Sequence, residues 1–111
     1  MIVEMNIKPI YLDLIRKKIK KHEYRLNKTE YRSLKVGDEI KLISNYDSND
    51  FELTKIKKIE VFSTWKEALI NYWKDDFKGA FNDFETLIKE VETFYKKDDV
   101  KNLGIIVFTI E

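Results

Sequence analysis

The chain has 111 residues, 43% hydrophobic and 14% aromatic, which is enough apolar material for one core and predicts a single domain over residues 1–111. With no cysteine and one histidine, disulfides, thiolate sites and the usual zinc ligand sets are excluded, and we expect no metal or other cofactor. No apolar run is long enough to cross a membrane and the first residues do not resemble a signal peptide. We therefore expect a cytoplasmic protein without a membrane partner, and a monomer.

Apolar alternation and helical spacing divide the first part of the chain into a strand, a helix and a second strand. The predicted bounds are residues 2–7 for the first strand and 9–18 for the helix, which Pro9 opens in its first turn. The second strand is predicted over residues 22–27. Its alternation predicts that His22, Tyr24 and Leu26 share one face, and that Glu23 and Arg25 share the other.

The rest of the chain predicts two strands, a helical region and a closing strand. A polar connection over residues 27–32 precedes a turn at residues 34–38, where Gly37 can adopt a backbone conformation closed to other residues. Thr64 and Glu67 have the spacing of a capping box at a helix start. The predicted ranges are strands at 39–44, 51–62 with a bulge near 57–58, and 103–110, with helices at about 64–72 and 82–96.

The charge distribution singles out the first third of the chain. The net charge is only +1, but residues 1–35 hold ten Lys and Arg against four Asp and Glu, whereas residues 36–111 hold eleven against sixteen. The basic residues gather next to the second predicted strand, where they would attract phosphate. Lys18 and Lys21 are therefore candidate ligand-binding residues. The alternative is that lysines at a helix end are simply solvated.

Lys20, Glu23 and Arg25 form the most informative cluster in the sequence. Arg25 can clamp a phosphate or stack on a base, Lys20 can supply a point charge, and Glu23 can accept a hydrogen bond from an exocyclic amino group. Such a set suits a nucleotide that is single-stranded or flipped out. The alternative is that Glu23 and Arg25 pair only with each other and neutralise a buried edge.

The segment from Lys18 to Arg25, together with the turn at Val36-Gly37-Asp38, resembles the ASCH family of the PUA-like superfamily. That family's signature reads Gly-x-Lys-x-x-Glu-x-Arg, and its charged positions are filled here by Lys20, Glu23 and Arg25. Lys18 stands where the family usually has glycine, which puts the geometry of this turn in question, because positive φ is costly for lysine. The resemblance implies an α+β fold over the whole chain, a small PUA-like β-barrel of about five strands with flanking helices.

The resemblance also implies a role in RNA binding or RNA metabolism. Some small ASCH proteins hydrolyse N4-acetylcytidine with a Thr nucleophile, a Lys and a Glu, and others cleave RNA. Lys20 corresponds to that Lys, but Glu23 stands in place of the Thr, so the nucleophile is missing. A hydrolase would need Glu23 to activate water while Lys20 stabilises the oxyanion. The family's helical acid has no assured match to Glu67 or its neighbours.

These patterns leave three functional hypotheses. The first is an RNA- or nucleotide-binding domain whose ligand lies in a cleft lined by Lys20, Glu23 and Arg25. The second is a small hydrolase acting on RNA or a modified nucleoside, with Lys20 and Glu23 as its catalytic residues. The third is a protein-interaction module whose acidic C-terminal half binds a basic partner.

Three other features are expected to be structural. His22 is expected to be a packed, hydrogen-bonded residue, since it shares an apolar face with Tyr24. Trp65 is expected to anchor a helix to the core rather than to stack on a base. The acidic pair Asp75-Asp76 is expected to be a solvated cap or turn rather than a cation site.

Overall fold

Five strands form one curled sheet, and six helices flank it, in the computed structural model, which describes residues 1–111. The strand order is β1-β3-β4-β5-β2, with β1 parallel to β3 and every other neighbouring pair antiparallel. The sheet is an open half-barrel, because β1 and β2 are its two edges. The α+β class is confirmed. The strands are β1 (Ile2–Ile7), β2 (His22–Leu26), β3 (Glu39–Ser44), β4 (Phe51–Phe62) and β5 (Ile105–Ile110).

The helices differ more from prediction than the strands. The helix expected over 64–72 ends at Leu69. A short helix that was not predicted follows at residues 73–76, after Tyr72 leaves helical geometry with φ −125° and ψ −5°. Two further helices were not predicted: neither has a buried residue, so neither shows the apolar stripe that reveals a helix in sequence. The helices are α1 (Pro9–Arg16), α2 (Thr29–Arg32), α3 (Trp65–Leu69), α4 (Trp73–Asp76), α5 (Phe84–Phe94) and α6 (Lys97–Leu103).

The core has two parts, one on each face of β5. On the concave face, Ile106 and Phe108 pack with side chains from β1, β3 and α1. On the other face, Ile105 and Val107 pack under α3 and α5. Because β5 is buried on both faces, its sequence is a nearly continuous apolar run rather than an alternating one.

Several local predictions are confirmed by the geometry. The β4–β5 register shifts between Ile56 and Lys58, where a bulge was predicted. Gly37 has φ +97°, and the Thr64 side chain accepts a hydrogen bond from the backbone N–H of Glu67. None of the helices is long and apolar enough to cross a membrane.

Candidate functional site

The turn after α1 sets the position of Lys20. The backbone N–H of Lys18 donates to the carbonyl of Ile15 at 3.0 Å, and that of Ile19 donates to the carbonyl of Leu14 at 2.9 Å. This pair of bonds is the Schellman motif, which requires a left-handed residue after the helix cap. Lys18 is that residue, with φ 61°, and no other non-glycine residue has a positive φ. Lys18, which stands where the signature has glycine, thus adopts the backbone conformation that glycine favours.

Lys20 is buried, with 3% of its surface exposed. Its Nζ donates to the carbonyl oxygen of His22 at 2.6 Å and lies 4.5 Å from the ring centroid of Phe77 and 4.9 Å from that of Tyr24. Burial lowers the pKa of the Lys20 ammonium, although the nearby carboxylates of Glu23 and Asp76 oppose the shift. Only a group that enters the protein can therefore contact this amine.

Glu23 and Arg25 lie on the same face of β2, as predicted. Glu23 is paired in register with Phe108 and Arg25 with Ile106, which both face the concave core, whereas Tyr24 is paired with Val107 on the other face. Arg25 donates to one oxygen of Glu23 from both Nε and Nη2, at 3.1 and 2.8 Å. The second oxygen of Glu23 lies 3.7 Å from Lys20 Nζ. The structure therefore joins all three charged residues.

Arg25 also connects the two edges of the half-barrel. Its Nη2 donates to the backbone carbonyl of Asn6 at 2.8 Å, and Asn6 lies near the end of β1. Since the edge strands β1 and β2 are not paired through their backbones, this bond spans the gap between them. Burial opposes the charge of Arg25, but the attraction and hydrogen bonds of Glu23 raise its pKa overall.

The charged cluster opens into a cavity of about 210 Å³, here called the first cavity. Most of its lining is hydrophobic or aromatic, contributed by the edge strands, α1, α3 and α5. Trp65 is part of this lining, and its buried indole Nε1–H has no hydrogen-bond partner. An unpaired buried donor is costly. The polar lining residues are Asn6, Lys8, Lys20, Glu23, Arg25 and Glu90.

Glu90 is a lining residue that the sequence analysis did not identify. It lies on α5, next to Leu87, Val91 and Phe94, which also line the first cavity. Positions 87, 90, 91 and 94 have the spacing of one helical face, and this spacing could have placed Glu90 on the stripe that faces the sheet. By contrast, Glu67 does not line the cavity, because it belongs to the capping box of α3.

Lys18 and Lys21 do not line the first cavity. Both are exposed, and they border a separate, mostly polar cavity of about 280 Å³, here called the second cavity. Its other lining residues are Ile19, His22, Asn71, Tyr72, Asp75, Asp76 and Lys78. The structure thus divides the five predicted site residues between two places.

Asp76 corrects one expectation. It was expected to be solvated, but only 1% of its surface is exposed, because it accepts hydrogen bonds from three groups of the signature segment. These are the backbone N–H of Lys21 at 2.8 Å, His22 Nδ1 at 2.8 Å and the Tyr24 hydroxyl. His22 is packed and hydrogen-bonded as predicted, and its ring stacks on Tyr72 at 3.8 Å between centroids. Asp76 lies 52 to 55 positions from these three donors in the sequence, so no local pattern indicated that it would accept their hydrogen bonds.

No group of three or more acidic or histidine side chains is arranged to hold a metal ion. In the first cavity Lys20 and Arg25 supply positive charge, Glu23 accepts hydrogen bonds, and aromatic rings offer stacking surfaces.

Comparison with known proteins agrees with the fold. The crystal structure of the hypothetical protein PH0355 is similar to the chain with a TM-score of 0.84 and 30% identity, covering 100% of this chain and 98% of that one. The solution NMR structure of protein PF0455 from Pyrococcus furiosus is similar with a TM-score of 0.76 and 26% identity, covering 100% and 96%. No curated protein matches the chain. A model of the ASCH domain matches residues 5–103, and the chain therefore belongs to the ASCH domain family.

Proposed function

We propose that the first cavity binds a nucleobase or nucleoside, presented either free or by a single-stranded RNA. The proposal is supported by the buried carboxylate of Glu23, held between two cations in a cavity that is walled by aromatic rings. Bases taken out of a stack are read in this way, by hydrogen bonds to their edges and by stacking on aromatic side chains.

The size of the first cavity supports a small ligand. Sites for drug-sized molecules usually have about 300–1,000 Å³, whereas this cavity has about 210 Å³. A single base or nucleoside suits that volume, while the rest of an RNA strand would have to stay outside. Lys8 is exposed at the lining and lies 5.1 Å from the ring centroid of Phe94, where it can meet a phosphate outside the cavity.

Trp65 provides a direct measurement of binding. Trp73, the second tryptophan, packs on Phe84 and does not line the first cavity, so a Trp73→Phe background leaves Trp65 as the sole indole reporter. Cytidine, uridine, adenosine and guanosine would be titrated against it, with ribose 5-phosphate as the control that lacks a base. We expect saturable changes in fluorescence with at least one nucleoside and none with ribose 5-phosphate.

A matched pair of variants tests the role of Glu23. Glu23→Gln replaces an acceptor with an amide that can donate, so binding should weaken by about tenfold or more, the cost of one lost hydrogen bond to a charged group. Glu92→Gln changes an exposed carboxylate on α5 outside the cavity and should leave binding unchanged. If no nucleoside saturates the Trp65 signal, or if both variants bind as tightly as the unmodified protein, the proposal is wrong.

One observation favours a hydrolytic alternative. Lys20 is buried beside Glu23 with a lowered pKa, which brings its amine closer to the neutral form that can accept a proton. However, no serine or threonine lines the first cavity, so the attacking group would have to be water. N4-acetylcytidine incubated with the protein for hours, with its products separated chromatographically, distinguishes the two functions. We expect binding without hydrolysis. Turnover that Glu23→Gln abolishes would establish the hydrolase instead.

A further inference from the structure

The second cavity contains an oriented histidine that the first cavity does not use. His22 Nδ1 lies 2.8 Å from Asp76 Oδ2, and the ring is stacked on Tyr72 with an angle of 11° between the planes. These two contacts fix both the position and the plane of the imidazole. The opposite nitrogen, Nε2, makes no hydrogen bond within the protein and is not sealed from solvent. It is therefore available to a ligand in this cavity.

Asp76 holds the imidazole as a charged partner. Burial opposes ionisation of this carboxyl, but hydrogen bonds from His22, Tyr24 and the Lys21 backbone, together with the charge of Lys20, lower its pKa overall. The ionised carboxylate accepts from Nδ1–H and stabilises a positive charge on the ring when Nε2 also carries a proton. A carboxylate–histidine pair of this kind presents Nε2 in one tautomer and one direction.

Three lysines border the same cavity. Lys18, Lys21 and Lys78 are exposed, and none of them forms an ion pair within the protein. The carboxylates present are those of Asp75 and Asp76, and Asp76 already accepts three hydrogen bonds from within the protein. The cavity therefore has a positive balance of charge around a free imidazole nitrogen. Unpaired lysines around a polar concavity favour an anion.

We propose that the second cavity is a phosphate-binding site, in which protonated His22 donates from Nε2 to a phosphate oxygen while Lys18, Lys21 and Lys78 supply positive charge. The carboxylate of Asp76 carries the negative charge that balances the protonated ring. The imidazole contacts Asp76 and Tyr72, and Asp76 also interacts with Tyr24 and Lys20. The other charged groups that line the cavity are Lys18, Lys21, Asp75 and Lys78. This proposal does not depend on nucleoside binding in the first cavity.

The single histidine makes the test specific, because all imidazole signals in an NMR spectrum belong to His22. Inorganic phosphate would be titrated at constant pH, with chloride added to the same ionic strength as the control. We expect a saturable shift of the His22 ring signals with phosphate but not with chloride. A shift that never saturates, or one equal in chloride, would overturn the proposal.

Lysine variants provide the matched controls. Lys21→Gln and Lys78→Gln each remove one exposed charge from the second cavity, and each should weaken phosphate binding about threefold, the effect of a partly screened charge. Lys101→Gln removes an equally exposed charge on α6, outside the cavity, and should have no effect. Equal affinities in all three variants would show that the cavity lysines play no part, which contradicts the proposal.

The source of the phosphate can be assigned in the same experiment. Single-stranded oligouridylate and ribose 5-phosphate would be compared with inorganic phosphate at equal phosphate concentration. A His22 shift at much lower concentration with oligouridylate identifies the backbone of a nucleic acid as the source. Equal effects from all three identify a free phosphate or a small phosphate ester. Cytidine, which lacks phosphate, reports on the first cavity through Trp65 and should leave His22 unchanged.

Discussion

One carboxylate oxygen of Glu23 accepts two hydrogen bonds from Arg25, from Nε at 3.1 Å and from Nη2 at 2.8 Å. The other oxygen of Glu23 lies 3.7 Å from the ammonium of Lys20. A single carboxylate, itself 4% exposed, thus lies between two cations. Because one negative charge lies between two positive ones, the cluster retains a net positive charge while Lys20 is protonated. The stability of the cluster therefore depends on Glu23.

We therefore expect Glu23→Gln to destabilise the fold by about 3 kcal/mol, because removing one partner leaves buried charges without compensation. Urea denaturation of the variant measures this loss. Adding Lys20→Met removes one of the uncompensated cations and should restore part of the stability. The exposed Glu92→Gln change serves as the control and should alter the free energy of unfolding by less than about 0.5 kcal/mol. If Glu23→Gln unfolded at the same urea concentration as the wild type, this description of the cluster would be contradicted.

Lys20 should give the protein a characteristic alkaline pH dependence. Its pKa in the fold is lowered from 10.5, chiefly by burial, so between the two values the unfolded chain binds more protons than the folded one. Stability contributed by Lys20 should therefore rise with pH in this range. The raised pKa values of Tyr11, Tyr31 and Tyr72, due mainly to burial, act in the opposite direction near pH 10.

Comparison with Lys20→Met isolates this effect, because the tyrosines are common to both proteins. The difference in unfolding free energy, wild type minus variant, should increase from about pH 7 to about pH 10. Urea denaturation at a series of pH values gives the curve. A difference that stays flat over this range would mean that Lys20 titrates alike in the folded and unfolded states.

The sequence was a good guide wherever a local pattern carried the information. Alternation placed Glu23 and Arg25 on one face of β2, and the register with β5 confirms it. Helical spacing located α5, and the capping pair of Thr64 and Glu67 located the start of α3. These elements are determined by contacts between near neighbours or by one buried face, and such contacts produce a regular spacing of residue types in the sequence.

The parts that were missed depend on contacts between distant residues. Asp76 is buried because the signature segment supplies three donors, and nothing near Asp76 in sequence records them. Likewise, only the packing of α5 against the half-barrel shows that Glu90 lines the first cavity. Lys18 and Lys21 border the second cavity whereas Lys20 lines the first, a division that local charge in the sequence does not record.

The left-handed turn itself predicts a stabilising substitution. Lys18 has φ 61°, a conformation that costs a non-glycine residue about 1–2 kcal/mol. We expect Lys18→Gly to remove this strain and raise the free energy of unfolding by up to about 1 kcal/mol, since glycine is more flexible when unfolded. Lys18→Ala removes the same charge but keeps the Cβ atom, so it should gain nothing. Thermal or urea denaturation of the two variants, side by side, separates backbone strain from charge.

Asp76 should make the fold sensitive to acid. Burial opposes its ionisation, but the donors from His22, Tyr24 and Lys21, with the charge of Lys20, lower its pKa below 3.8. The stability contributed by this carboxylate is therefore fully present above about pH 4 and is lost as pH falls through the lower folded value. At neutral pH we expect Asp76→Asn to cost about 1.5–3 kcal/mol, because the amide cannot replace a carboxylate as acceptor of three hydrogen bonds.

The neighbouring Asp75 supplies the control for this prediction. It is exposed and its carboxylate accepts no hydrogen bond, so Asp75→Asn should leave stability close to that of the unmodified protein. Urea denaturation from about pH 7 down to about pH 3 should show the gap between wild type and Asp76→Asn narrowing as acid protonates Asp76. A gap that stays constant with pH would show that the loss comes from shape rather than charge. If Asp75→Asn and Asp76→Asn lowered the free energy of unfolding equally, the three hydrogen bonds to Asp76 would contribute no stability of their own.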